Sequence, residues 1–255
     1  MRIKVLGCSG GVGPDLRTTA LLVDDEILID AGTGVCDLDL VQMRKIGRVF
    51  LTHSHLDHVC GLAFMADNLF DEIQRPVEIM GISETLRILR RNLFNWKLWP
   101  DFTKLPSREA PVIKFRSIRS ERRVDLGEGR SLCAFAVRHT VPAVGYVLET
   151  PNGVFAFTGD TGSCPQMWDF LNGLERLDYL MIDVAFPDQE ACLGEIAKHY
   201  TPALLGDELS SLRHRPELLL THHKPGCGPT LDAQCRRAMK GWKHRHLKRG
   251  DVIEI

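Results

Sequence analysis

The sequence predicts an α+β chain in which two β-sheets pack face to face with helices on both outer surfaces, a four-layer αββα sandwich. Three observations lead there. Short apolar strand patterns are followed by helical patterns in both halves of the chain, and Val112 to Phe157 forms one long strand-rich block. No linker or low-complexity segment divides the 255 residues, which are 44% hydrophobic and 25% charged. Strands with one apolar face need another layer to cover them, and a chain of this length can bury a substantial core. Residues 1–255 are therefore read as one domain.

The elements follow in order. Met1 to Leu6 is an opening strand, and Gly7 to Pro14 is a glycine-rich loop. That loop lacks the Lys-Ser/Thr of a phosphate-binding P-loop and reads as a tight turn near a site. Thr19 to Val23 and Glu26 to Ile29 are strands around an Asp24-Asp25 hairpin turn, ended by Asp30-Ala31-Gly32-Thr33-Gly34. Val49 to Leu51 is a buried strand that runs into a polar burst at Thr52 to His58. His58 to Leu69 is helical, Val77 to Met80 is a strand, and Ser83 caps a helix through Arg91.

Residues 92–110 stand apart as an insertion. Phe94, Trp96, Trp99 and Phe102 lie within nine residues without clean periodicity. This suits a cap over a site or a homodimer contact better than a core helix. Beyond the β block, whose turns are Gly127 and Asn152-Gly153, Pro165 to Leu171 is helical and Tyr179 to Ile182 is a strand. Thr201 is an N-cap with Pro202 at the first helical position of a helix through Leu212, and Glu217 to Leu220 is a strand. Arg236 to Arg249 carries seven Lys/Arg, read as a solvated helix face.

The net charge of −1 implies no global attraction to nucleic acid or anionic membrane. No apolar run reaches the length of a signal h-region or a membrane span, so a cytoplasmic protein is expected. The eight cysteines include no C-x-x-C pair, which argues against a zinc ribbon or a redox motif and for reduced, mostly buried side chains.

The chemistry concentrates in Thr52-His53-Ser54-His55-Leu56-Asp57-His58. His53 and His55 alternate along an extended stretch, so both imidazoles point the same way, and Asp57 and His58 follow where the chain turns into a helix. Imidazole and carboxylate without thiolate suit catalytic zinc, or iron or manganese. Three further ligand types follow strands: His139 after Leu132 to Val137, Asp160 between Gly159 and Gly162 after Val154 to Phe157, and His222-His223 after Leu218 to Leu220. Adjacent residues on an extended segment point to opposite sides, so only one of His222 and His223 can be a ligand.

H-x-H-x-D-H at 53–58 with these later residues resembles the metallo-β-lactamase superfamily of two-metal hydrolases. The resemblance implies His53, His55 and His139 on one metal, Asp57, His58 and His222 on the second, and Asp160 bridging. It implies two divalent ions, zinc first and manganese or iron as alternatives, sharing a hydroxide that attacks phosphorus. It also makes Asp30 the carboxylate that fixes a ligand histidine. Within the superfamily, H-S-H-L-D-H-V-x-G at 53–61, W-P-D-F at 99–102, H-Y-T-P at 199–202 and T-H-H-K-P at 221–225 are similar to the class II cyclic-nucleotide phosphodiesterases. A 3′,5′-cyclic AMP-like small phosphodiester is the implied substrate. Trp99, Phe102 and Lys224 are the candidate substrate contacts, and Asp57, Asp183 and His199 the candidate catalytic residues.

The chain departs from that family at Ala63-Phe64-Met65-Ala66-Asp67, where two aliphatic residues, a Ser and a small residue are usual. Asp183 and His199 also resemble the acid and histidine motifs of tRNA 3′-processing endonucleases, where a histidine held by a carboxylate can protonate a leaving alkoxide. No long basic, glycine-rich arm for gripping RNA is present. A non-hydrolytic di-iron oxygen sensor on the same ligands is the other class left open.

Overall fold

The computed structural model describes residues 1–71 and 75–255. The strands among these residues are β1 (Arg2–Gly7), β2 (Ala20–Val23), β3 (Ile27–Ile29), β4 (Arg48–Phe50), β5 (Val77–Gly81), β6 (Ile113–Ser117), β7 (Arg123–Gly127), β8 (Arg130–Ala136), β9 (Val144–Glu149), β10 (Val154–Phe157), β11 (Tyr179–Asp183), β12 (Glu217–Thr221), β13 (His244–His246) and β14 (Val252–Glu254). They form two seven-stranded sheets, ordered β14-β1-β2-β3-β4-β5-β6 and β13-β12-β11-β10-β9-β8-β7. The helices are α1 (Leu40–Met43), α2 (Leu56–Asn68), α3 (Ser83–Asn92), α4 (Pro165–Gly173), α5 (Ala191–Ala197), α6 (Pro202–Glu208) and α7 (Gly228–Ala238).

Strand alternation sets the layers, because successive side chains point to opposite faces of a sheet. Ile3, Val5, Leu21, Val23, Ile27 and Ile29 of the first sheet meet Tyr146, Leu148, Phe155, Phe157, Met181 and Leu219 of the second in the central core. Their neighbours Leu6, Ala20, Leu22 and Leu28 turn outward under α2 and α3. On the other side Val147, Ala156, Leu180, Ile182, Leu218 and Leu220 pack under α4, α6 and α7. Helix, sheet, sheet and helix make the αββα sandwich.

Several local readings hold at residue level. Asp24 and Asp25 both have positive φ (47° and 60°), as a two-residue hairpin turn between twisted strands requires. The Thr201 side chain accepts from the Leu204 amide at the start of α6, with Pro202 inside the first turn.

Others need correction. Ser83 is the first helical residue of α3, and Ile82 takes the cap position without a side-chain bond. The basic tail is not a helix face: α7 stops at Ala238, Gly241 has a φ of +88°, and β13 pairs in parallel with β12. A left-handed glycine ends the helix and lets the chain return to the sheet.

The aromatic insertion is divided between surface and core: Trp96 and Leu98 are exposed, while other rings turn inward. Phe94 and Phe102 are 1% and 2% exposed, and Phe102 meets Phe70 and Phe94 edge-on at 6.0 and 6.4 Å. A ring buried in this way has no free face for a substrate, so the expected contact from Phe102 is withdrawn. The Trp99 indole N–H donates to the Ala63 carbonyl of α2 at 3.0 Å and its ring meets Phe64 at 5.7 Å, which anchors it to that helix. No helix among the described residues is long and apolar enough to cross a membrane.

Candidate metal centre

The site lies at one edge of the sandwich, where several strands end in ligand-type residues. β4 runs into Leu51-Thr52-His53, and His55 holds the extended N-cap position of α2. Asp57 falls in the first turn of α2, where a carboxylate is favoured by the helix dipole. His139 follows β8, Asp160 follows β10, and His222 follows β12 with a φ of +65°.

These residues converge as two donor groups. One is His53, His55, His139 and Asp160; the other is Asp57, His58, Asp160 and His222. Within each, the ligand atoms lie within 4.8 Å of one another, and Asp160 belongs to both. The Asp160 carboxylate reaches His53 Nε2 at 3.8 Å through Oδ2, and His58 Nε2 and His222 Nδ1 at 3.2 Å through Oδ1. His55 Nδ1 and His139 Nε2 face each other at 3.1 Å.

A metal fits this arrangement on the chemistry of its unpaired atoms. His53 Nε2, His58 Nε2 and His222 Nδ1 are buried and, although Asp160 approaches each of them, make no hydrogen bond of good geometry among the described residues. Orphaned buried nitrogens are costly, and three of them aimed at one shared carboxylate are what a cation would satisfy.

The opposite ring nitrogens are tied down. His58 Nδ1 donates to Asp30 Oδ2 at 2.7 Å, and Asp30 also accepts from the Thr52 amide and hydroxyl, both at 2.8 Å. The Thr52 hydroxyl in turn lies 3.0 Å from His53 Nδ1. His139 Nδ1 donates to the Lys198 carbonyl at 3.2 Å. Thr52 and Lys198 were invisible as site residues in the sequence, because a hydroxyl and a main-chain carbonyl carry no ligand signature.

Burial and charge set the protonation. Burial holds His53 and His222 well below the usual histidine value, which keeps them neutral and able to coordinate. Burial also lowers His139, to about 4. Burial opposes the charged forms of both Asp160 and His58. His222 and His58 nevertheless hold Asp160 well below the carboxylate range, and Asp160 with Asp30 raises His58 well above the imidazole range.

The second constellation is His199 with Asp183. His199 Nδ1 donates to Asp183 Oδ2 at 2.5 Å, and the His199 ring stacks on His222 at 5.1 Å and meets His139 edge-on at 5.1 Å. It therefore contacts a member of each donor group. Lys198, in the left-handed conformation at the end of α5, makes the reversal that sets His199 there. Burial raises the Asp183 carboxyl to about 6 despite His199. Asp183 in turn raises His199 against the effect of its burial.

His223 joins neither group and faces His246 instead, Nε2 to Nδ1 at 3.3 Å. Lys224 Nζ donates to the Gly10 carbonyl at 3.0 Å and sits 5.7 Å from the Phe186 ring centre. The glycine-rich loop braces this strand end: His222 N–H donates to the Cys8 carbonyl at 2.8 Å. A Cβ at Gly10 would lie 2.4 Å from the His222 carbonyl oxygen, so only glycine allows that approach.

Residues 25–223 match the family model described as a β-lactamase superfamily domain. The chain belongs to this superfamily. Its relatives include proteins named as cyclic-nucleotide phosphodiesterases. The Aliivibrio fischeri enzyme is 27% identical over 81% of this chain and 74% of its own length. The Yersinia pestis protein, a probable member, is 27% identical over 66% of this chain and 52% of its own. Ribonuclease J of Thermus thermophilus is 30% identical over 63% of this chain. The chain thus spans about half of the Yersinia relative and 28% of the ribonuclease. Unliganded yeast PDE1 superposes with a TM-score of 0.82 at 18% identity, covering 98% of both chains, a likeness of fold. The superfamily's fold is the metallo-β-lactamase fold, and its members named here are hydrolases.

Proposed function

We propose that the chain is a two-metal phosphodiesterase that hydrolyses a cyclic-nucleotide phosphodiester of the 3′,5′-cyclic AMP kind. The observation that carries this reading is the pair of donor groups joined through Asp160, with the His199–Asp183 pair packed against both. His53, His55 and His139 would hold one ion, Asp57, His58 and His222 the other, and Asp160 both. Zinc suits the nitrogen and oxygen donors, with manganese or iron as substitutes. Bound divalent ions supply Lewis acidity towards phosphoryl oxygens and acidify water.

The chain's own residues supply orientation and a proton. Asp30 fixes His58 directly, Thr52 relays the same carboxylate to His53, and the Lys198 carbonyl fixes His139. Asp183 accepts the His199 Nδ1–H and favours the imidazolium, whose Nε2–H would protonate the departing alkoxide and leave neutral imidazole. Asp57 is the more open carboxylate, with its side chain 32% exposed against 4% for Asp160, and would face arriving substrate. Lys224, two residues beyond His222, is placed to meet the substrate's charge.

The test is turnover by the metal-loaded protein on 3′,5′-cyclic AMP, cyclic GMP, a cyclic dinucleotide, bis(p-nitrophenyl) phosphate and a precursor tRNA. Cyclic mononucleotide hydrolysis supports the proposal. Cleavage confined to tRNA would replace it with the tRNA 3′-processing endonuclease reading. An iron spectrum without hydrolysis of any substrate would refute both.

A further inference from the structure

A cleft of about 560 Å³ opens beside His222, between the glycine-rich loop, the segment after β12 and the turn that joins β13 to β14. Its floor is apolar: Leu220 and Leu247 are buried there, and Leu16 and Pro229 line its sides.

Its rim is cationic, with Arg17, Lys224, Lys248 and Arg249. Arg17 and Arg249 share a single carboxylate, Asp37, at 3.1 and 2.7 Å. Lys224 is met by a carbonyl, and the Lys248 side chain forms no ion pair among the described residues. Asp15 is the acid that lines the cleft itself. Four cations thus face two carboxylates, a local excess in a chain of net charge −1. A concave, mainly apolar cavity of a few hundred Å³ with a few polar groups at its rim is the usual make-up of a small-ligand site.

The cleft adjoins the metal centre without being lined by any of its candidate ligands; His223 lines the cleft instead. Cys8 lines it and accepts the His222 amide, and Lys224 reaches from it towards Phe186, whose ring lies 5.6 Å from that of His199.

We propose that this cleft binds a nucleoside phosphate, with the flat ring against Leu16, Pro225 and Pro229 and the phosphate against Lys248 and Arg249. The proposal rests on the phosphodiesterase reading for the chemistry of its ligand. The nucleoside phosphate is an effector separate from the substrate, whose phosphodiester would lie at the metal centre rather than on Lys248 and Arg249.

The experiment uses the metal-loaded protein, bis(p-nitrophenyl) phosphate as reporter, and adenosine 5′-monophosphate and inorganic phosphate as inhibitors. In the Lys248→Glu/Arg249→Glu double variant, the inhibition constant for the nucleotide should rise by about tenfold or more, the worth of one charge-assisted contact. The constant for inorganic phosphate and turnover of the reporter should stay as in the unmodified protein. Leu247→Trp, which fills the floor, should weaken the nucleotide in the same way. Non-competitive inhibition supports a separate effector site, and competitive inhibition, which would put the nucleotide at the metal centre, overturns it. An unchanged nucleotide constant in both variants overturns the proposal, as does a parallel rise for inorganic phosphate. If the reporter is not turned over, the phosphodiesterase reading fails by itself. Equilibrium dialysis of the nucleotide against the same proteins then still decides whether the cleft binds it.

Discussion

Replacing Thr52 by Val keeps the side-chain shape and removes one hydroxyl. That hydroxyl donates to Asp30 at 2.8 Å and accepts from His53 Nδ1 at 3.0 Å, at a residue with no exposure. Without it the buried His53 Nδ1–H has no acceptor, at a cost of about 1–3 kcal/mol. Loss of such a supporting partner typically lowers metal affinity by about 10–100-fold. His58 keeps its own bond to Asp30 at 2.7 Å, so the loss should fall on one ion rather than two. Zinc titration in competition with a chromophoric chelator reads both affinities. The unmodified protein should bind two ions tightly, and Thr52→Val one tightly and one weakly. Thr52→Ser should restore the second, because it returns the hydroxyl. The metal-free Val variant should also melt lower, by roughly 2–4 °C per kcal/mol for a chain of this size. Equal affinity for both ions in Thr52→Val, or equal loss of both, would refute the reasoning. A Ser variant as weak as Val would shift the role to the methyl packing against Gly159.

Asp160→Ala removes the carboxylate common to both donor groups and should leave less than about a tenth of phosphodiesterase turnover; a higher residual rate counts against a bridging role. His199→Ala should slow a cyclic nucleotide, with its basic alkoxide, by roughly 10²–10⁴-fold and barely affect bis(p-nitrophenyl) phosphate, whose nitrophenolate leaves without a proton. Equal losses on both substrates would make His199 a support of the metal site. Phe102→Ala should cost about 3–5 kcal/mol of stability, read as a denaturant midpoint, because it empties a core position. A change in KM at unchanged stability would return Phe102 to the substrate.

Much of the architecture was readable from local pattern. Period-two alternation in β1, β2, β10 and β12 sorts side chains between two cores without knowledge of any partner strand. Local polar signals marked the Asp24-Asp25 turn and the Thr201 cap. His53 to His58, His139, Asp160, Asp183 and His222 could be named in advance because each follows or ends an apolar strand, which delivers its last residue to a sheet edge, whereas His199, after α5, could be named only through its resemblance to a family motif.

Convergence was another matter, because it depends on sheet order, a property of long-range pairing. Only the packing of two seven-stranded sheets puts the ends of β4, β8, β10 and β12 at one edge and decides that His222, not His223, turns to Asp160. The aromatic insertion shows the limit from the other side. Phe94 and Phe102 lack a helical or strand period because they enter the core from an irregular segment, so exposure could not be read from pattern. Thr52, the Lys198 carbonyl and the cleft beside His222 escaped for a related reason. Hydroxyls, carbonyls and cavities acquire their chemistry from neighbours distant in the chain, and composition and spacing carry no record of those neighbours.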